Sequence, residues 1–121
     1  MRGTILTIDP GELTSKKSVQ IDGEPTLDAL KDAIGGGYIE KVPGFDSVEI
    51  DNRVRKCVVF VDENGKGKGM RVNAVATGLW HHALLRRGHP GLVVAATGEI
   101  ADFLVGSIAL VYGDAEFMQS L

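Results

Sequence analysis

The chain has 121 residues, 44% of them hydrophobic, and a formal net charge of -3, which is typical of one ordinary globular domain. The charge argues against a nucleic-acid-binding protein, because such proteins gain much of their affinity from clustered cations. The N-terminal sequence MRGTILTIDPGE does not resemble a secretion signal, and no apolar run approaches the roughly 18 residues that span a bilayer. We therefore expect a cytoplasmic protein with no membrane contact and no cofactor.

In the first half of the chain, alternating β-branched residues and turn residues predict a strand pair followed by a helix. The expected elements are strands at 3–8, 17–22 and 38–42, a helix at 26–34 and a short edge strand at 47–51. Thr26 is the expected N-cap of the helix, with Asp28 in its first turn. The helix is expected to end at the glycines of 35–37.

The second half begins with the apolar stretch 55–62, which predicts one strand buried on both faces. Asn64-Gly65 then predicts a type I′ reversal, and Asn73 is the expected N-cap of a helix that ends before Gly88. The remaining expected elements are strands at 92–96 and 107–112, a short helix or helical turn between them, and a short C-terminal helix capped by Asp114. Because strands occur in adjacent runs, we predict a single α+β domain over 1–121. Its mainly antiparallel or mixed sheet of five to seven strands is packed by two main helices and a short C-terminal one.

The glycine- and lysine-rich turn at 62–69, DENGKGKG, does not match the standard ligand-binding loops. A Walker A loop requires serine or threonine after Gly-Lys, and here glycine follows. A dinucleotide fingerprint opens directly into a helix, whereas the expected helix begins only near residue 73. Lysines also occupy positions where an EF-hand needs oxygen ligands.

Two interpretations of this turn remain open. Exposed backbone N–H groups together with Lys66, Lys68 and Arg71 would suit a phosphate or carboxylate, with the cations of 53–56 nearby if the two segments form one hairpin. Alternatively, the turn is a solvated hairpin tip whose lysines discourage pairing with other strands.

Catalytic and metal-binding motifs find little support. Consecutive residues on a helix point about 100° apart, so His81 and His82 cannot chelate one ion from the same face. Cys57 lies in an apolar run and is expected to be buried and unreactive. No serine lies in a nucleophile elbow. Gly78 lowers the stability of its expected helix, which predicts a packing reason for it.

The segment 59–80, VFVDENGKGKGMRVNAVATGLW, resembles the signature of a small uncharacterised domain family of phages, prophages and plasmids. The family pairs a strand ending in an acidic residue and a glycine turn with a capped helix start. The matching positions are Glu63, Gly65, Gly69, Asn73, Ala76 and Thr77. Segments upstream and downstream extend the resemblance to about 27–113. It implies an accessory protein of a virus or mobile element that acts inside a bacterium, and it implies no particular reaction.

We therefore expect a non-enzymatic binding module that engages a host protein, possible targets including a defence component. The expected binding residues are Asn64, Gly65, Lys66, Lys68, Gly69, Arg71, Asn73, Thr77 and His81. His82 and Arg86 extend this surface along the helix. The alternative function is capture of an anionic small molecule, such as a nucleotide or signalling nucleotide, at the turn. A homo-oligomer formed through strand edges is also compatible with the sequence, and a purely structural role would equally explain Gly65, Gly69 and Asn73.

Overall fold

The computed structural model describes residues 1–11, 16–93 and 96–121 and confirms an α+β fold. Its strands are β1 (Arg2–Ile8), β2 (Lys16–Asp22), β3 (Ile39–Lys41), β4 (Ser47–Ile50), β5 (Arg53–Lys56), β6 (Val58–Asp62) and β7 (Ile108–Gly113). Its helices are α1 (Leu27–Ala33), α2 (Ala74–Arg86) and α3 (Ala115–Gln119). The three expected N-caps, Thr26, Asn73 and Asp114, each accept a hydrogen bond from the first turn of their helix. Within the described ranges, no helix is long and apolar enough to cross a membrane.

Five strands form the main sheet in the order β2-β1-β7-β6-β3, and all of its pairings are antiparallel. β4 and β5 form a separate two-stranded sheet. The last strand of the chain, β7, lies at the centre of the main sheet between β1 and β6. The sheet is therefore built from strands that are far apart in sequence.

Alternate side chains of β7 enter two apolar clusters on opposite faces of the sheet. Ile108 and Leu110 join the cluster that includes Trp80 of α2. Ala109 and Val111 join the cluster that includes Phe117 of α3 and residues of α1. All four β7 side chains are fully buried, so this strand holds the two helical layers together.

The single strand expected at 55–62 is wrong, because the chain changes sheets at Cys57. Residues before it form β5 and pair with β4, whereas residues after it form β6 between β7 and β3. At the break, the Cys57 N–H donates to the carbonyl of Asp46 at 3.0 Å. A continuous apolar run is compatible with burial in two successive sheets, so hydrophobicity alone does not locate the break.

The type I′ turn expected at Asn64-Gly65 is also wrong. Neither residue has a positive φ, and the backbone winds in a helical sense, with the Lys68 N–H donating to the Asn64 carbonyl at 2.9 Å. A tight reversal would lay a new strand beside β6, but both edges of β6 are already paired. Positive φ angles at two consecutive residues, as a type I′ turn requires, occur instead at Asp51 and Asn52 between β4 and β5.

Between α2 and β7, the described residues contain neither a strand nor a helix. Val93 makes one isolated bridge with Ile100, and residues 94 and 95 of the expected strand 92–96 lie outside the described residues. Residues 98–106, where we expect a short helix or helical turn, contain no helical residue, and Ile100 and Val105 form isolated bridges. There the Asp102 carboxylate accepts a hydrogen bond from the N–H of Phe103 at 2.7 Å. Such local side-chain bonds to the backbone compete with helix formation.

Candidate functional site

The buried carboxylate of Asp62 organises the 62–71 turn. Its Oδ1 accepts the Asn64 N–H at 2.8 Å, and its Oδ2 accepts the Lys68 ammonium at 2.7 Å. The hydrogen bond from Lys68 is the main cause that holds the pKa of Asp62 below its usual value, and it outweighs the opposing effect of burial. Lys68 is thus engaged within the turn, in an interaction that fixes the turn to the end of β6.

Lys66 is engaged as well. Its ammonium pairs with the carboxylate of Asp102 and lies 4.7 Å from the centre of the Phe103 ring. Burial opposes ionisation of Asp102, but hydrogen bonds from Lys66 and from the Phe103 N–H prevail and lower its pKa. The turn and the segment after α2 are therefore tied together, and the positive charge of Lys66 is balanced.

Arg71 is exposed, and its backbone carbonyl accepts the N–H of Gly106 at 2.8 Å. The cations expected beside it are not assembled by a shared hairpin, because Arg53, Arg55 and Lys56 lie on β5, which pairs with β4. The Arg55 guanidinium lies 5.8 Å from the centre of the Tyr112 ring. Among the described residues, the turn therefore does not gain these three cations through a shared hairpin.

Asn73 joins three parts of the fold from a fully buried position. Its Nδ2 donates to the carbonyls of Ile8 and Gly106, both at 2.9 Å, while its Oδ1 accepts the N–H of Ala76 at 3.1 Å. Both ends of the amide are thus satisfied within the protein. This geometry supports a structural role for Asn73.

The geometry also supports structural roles for Thr77, Gly65 and Gly69. The Thr77 hydroxyl donates to the carbonyl of Asn73 at 2.7 Å and accepts the N–H of Leu104 at 3.0 Å. Gly65 is buried, and a Cβ at this position would lie only 2.9 Å from the side chain of Val105. Gly69 has a φ of +68°, a conformation that suits glycine.

An apolar groove lies beside these residues, between the outer face of α2 and the segment that follows it. Its lining consists of Val72, Ala74, Thr77, Gly78, His81, Leu92, Val93, Ile100 and Phe103. The large apolar side chains of the rim are exposed, with Ile100 at 63%, Val72 at 50% and Phe103 at 37%. Thr77 and His81 are the two expected binding residues that line it.

The groove was not foreseen from the sequence. The sequence predicts a short helix or helical turn at 98–106, whereas Ile100 and Phe103 of this segment are exposed at the rim of the groove. The packing reason expected for Gly78 is wrong, since a Cβ built there meets no atom within 4 Å. The only sequence feature that indicates a groove here is Gly78 itself, a glycine inside an otherwise regular helix.

The histidines of α2 differ in their surroundings. His81 Nδ1 accepts the N–H of Leu92 at 2.9 Å, which anchors the start of the segment after α2, whereas His82 is exposed. Arg86 extends to β4, where its Nε donates to the Ser47 hydroxyl at 2.9 Å. Among the described residues, no group of three or more histidine, cysteine or acidic side chains could hold a metal ion.

Cys57 is buried and its thiol points to the carbonyl of Phe45, 3.8 Å away. Burial, reinforced by the negative charge of Asp46 and opposed by Arg86, raises the pKa of Cys57 to about 12. A thiol in that state is protonated near neutral pH and is a poor nucleophile.

No protein-family model, curated protein or solved structure matches the chain. The resemblance of residues 59–80 to a phage and plasmid family therefore stays a prediction. The candidate site rests on the geometry of the turn, α2 and the adjoining groove.

Proposed function

We propose that this chain is a non-enzymatic binding module that captures a partner protein in the apolar groove along α2. The observation that carries the proposal is the group of exposed apolar side chains gathered there. Exposed apolar residues that cluster into a patch mark interaction sites, whereas scattered ones need no explanation. The residues of this groove come from both sides of α2 in the sequence and converge on one surface.

Gly78 supports this proposal. Glycine in the middle of a helix costs about 1 kcal/mol relative to alanine, and no neighbouring atom lies within 4 Å of the position that its Cβ would occupy. Internal packing therefore does not explain it. Because Gly78 lines the groove, its missing side chain leaves room for an inserted partner side chain.

Lys66 of the 62–71 turn lies beside the rim of the groove. Lys66 pairs with Asp102 and lies over the ring of Phe103, so it orients an apolar rim residue. The Lys66 side chain is 55% exposed, and its ammonium adds a polar border to the apolar surface. An apolar centre with a polar rim is the usual arrangement of a protein interface.

The identity of the partner class depends on the sequence resemblance. A chain similar to phage and plasmid accessory proteins would act in the host cytoplasm, and we propose a host protein as its target. In this proposal the groove is the binding surface, and the resemblance is the reason for choosing a host protein as the target.

Affinity capture from bacterial lysate, followed by titration of the purified captured protein, tests this function. Gly78→Leu fills the groove and Ile100→Asp places a charge on its rim. Val54→Asp is the matched control, because Val54 is 59% exposed on β5, outside the groove. We expect both groove variants to lose at least about tenfold in affinity, or about 1.4 kcal/mol, and the control to bind normally. Equal capture by all four proteins would contradict the groove as the binding surface.

The alternative function, capture of an anionic small molecule, has less support, because Lys66 and Lys68 are both paired with aspartates. Thermal unfolding with added nucleotides distinguishes the two functions. A ligand at 100 times its dissociation constant stabilises the folded state by about 2.7 kcal/mol. We expect no nucleotide to raise the unfolding temperature. An increase that Lys68→Met abolishes would favour the alternative function.

A further inference from the structure

The outer edge of β2 has no strand beside it in the part of the chain that the structure describes. β2 is seven residues long and lies at one end of the main sheet, next to β1. Unpaired N–H and C=O groups along such an edge form a template for another strand. The opposite end of the sheet is the three-residue β3, which is a much shorter template.

Val19 lies in the middle of this edge with 58% of its surface exposed. The β1–β2 register places it opposite Ile5, which belongs to the cluster packed by α1 and α3. Directly opposite residues point to the same face of a sheet. Val19 therefore continues the apolar layer of that face to the edge, where the layer is left open.

The hydrogen-bond directions along β2 follow from one contact. The Gly23 N–H donates to the Met1 carbonyl at 3.1 Å, and hydrogen-bonded pairs alternate along an antiparallel ladder. Val19 thus directs its N–H and C=O towards β1, as Ile21 does. Ser18 and Gln20 direct theirs outward, where a further strand would meet them.

We propose that β2 pairs antiparallel with β2 of a second copy of this chain, about a twofold axis at Val19. Pairing over the whole strand, 16–22 against 22–16, places Val19 opposite Val19 and Ser18 opposite Gln20. Ser18 and Gln20 are then hydrogen-bonded positions, as their outward groups require. The two five-stranded sheets become one continuous sheet, and each Val19 is covered by its counterpart.

The charge pattern of the strand favours a second copy in this orientation. Its sequence, KKSVQID, is basic at the amino end and acidic at the carboxyl end. Antiparallel self-pairing brings the basic end of each strand beside the acidic end of the other, and parallel self-pairing would bring like ends together. Cross-strand pairs of opposite charge stabilise a sheet, and like charges opposite each other destabilise it.

Sedimentation of the full chain over a range of concentrations tests the dimer. We expect wild type to sediment as a dimer at roughly 100 µM and Val19→Lys to dissociate at least tenfold more readily, because two lysines would then meet at the axis. Val54→Lys is the matched control, since Val54 is 59% exposed on a different strand, and it should remain dimeric. A monomeric wild type at roughly 1 mM, or a Val19→Lys dimer of unchanged affinity, would overturn the proposal.

Cross-linking tests the register independently of affinity. Val19 occupies a non-hydrogen-bonded pair, where Cα atoms are about 4.5 Å apart and a disulfide can form. Val19→Cys should therefore yield a covalent dimer under mild oxidation. Lys17→Cys is the control, because its two copies would be about 13 Å apart, four residues along the strand. The native Cys57 is buried and does not compete. Equal cross-linking of the two variants would contradict the register.

Discussion

The side-chain amide of Asn73 donates a hydrogen bond to the carbonyl of Ile8, 2.9 Å away and 65 residues distant in the sequence. This bond connects the cap of α2 to the end of β1. A second one, to the Gly106 carbonyl, connects it to the segment that enters β7. One buried side chain thus holds the start of the helix against two separate strands.

We expect Asn73→Ala to lower the free energy of unfolding by roughly 2 to 4 kcal/mol, because it removes a helix cap and the donors of two buried carbonyls. Thr26→Ala is the matched control. Thr26 caps α1 at an exposed position and bonds to the Ala29 N–H, so its loss should cost about 1 kcal/mol. Urea unfolding of both variants measures the difference. Equal losses would show that the bonds to Ile8 and Gly106 contribute nothing.

Gly78→Ala should raise the free energy of unfolding by about 1 kcal/mol, since alanine favours the helix and the site has open space around it. The same variant should bind the proposed partner more weakly, because its methyl group enters the groove. Thermal unfolding and titration on one preparation measure both effects. A stabilised variant that binds the partner as wild type does would show that Gly78 takes no part in partner recognition.

The ion pair of Asp62 and Lys68 should make stability depend on acid pH. The pKa of Asp62 is lower in the folded protein than its usual value, so the stabilisation is fully present above the unfolded pKa of about 3.9. It is lost as the pH falls below that value towards the folded pKa. We expect Asp62→Asn to flatten this part of the stability curve, measured by denaturant unfolding between roughly pH 2 and pH 6. If Asp62→Asn left the dependence of stability on acid pH unchanged, the role given to Lys68 would be contradicted.

The ring of Phe117 lies against Gly3 and Gly113, which face each other across β1 and β7. A Cβ at Gly3 would overlap this ring, so Gly3→Ala should destabilise the protein by about 1 to 3 kcal/mol through overpacking. Combining it with Phe117→Ala should cost less than the sum of the two single changes, because the clash is then absent. Additive losses in urea unfolding would indicate that the ring does not rest on the glycine.

Elements with local signals were predictable from the sequence. The caps at Thr26, Asn73 and Asp114 were found because each side chain bonds to a backbone group three residues away. β1 and β7 were found because apolar, β-branched residues mark them. These features depend on neighbours in the chain, which a single sequence displays directly.

Features that depend on distant partners were missed. The break at Cys57 is set by pairing with strands on either side, and the turn at Asn64-Gly65 is set by the lack of a free edge on β6. Likewise, the sequence does not show that Asp102 and Asp62 form ion pairs with the lysines of the turn. The start of α2 at Asn73 was predicted correctly. The sequence did not reveal the groove, whose rim comes from segments about 30 residues apart.

The central position of β7 has a consequence for how the chain matures on the ribosome. Both faces of this strand enter the core, and it is synthesised after β1 and β6, the two strands between which it lies. Until residue 113 has left the exit tunnel, β1 and β6 have no partner at the middle of the sheet. Nascent chains therefore expose unsatisfied edges of β1 and β6 until β7 has emerged, and such unpaired edges favour aggregation.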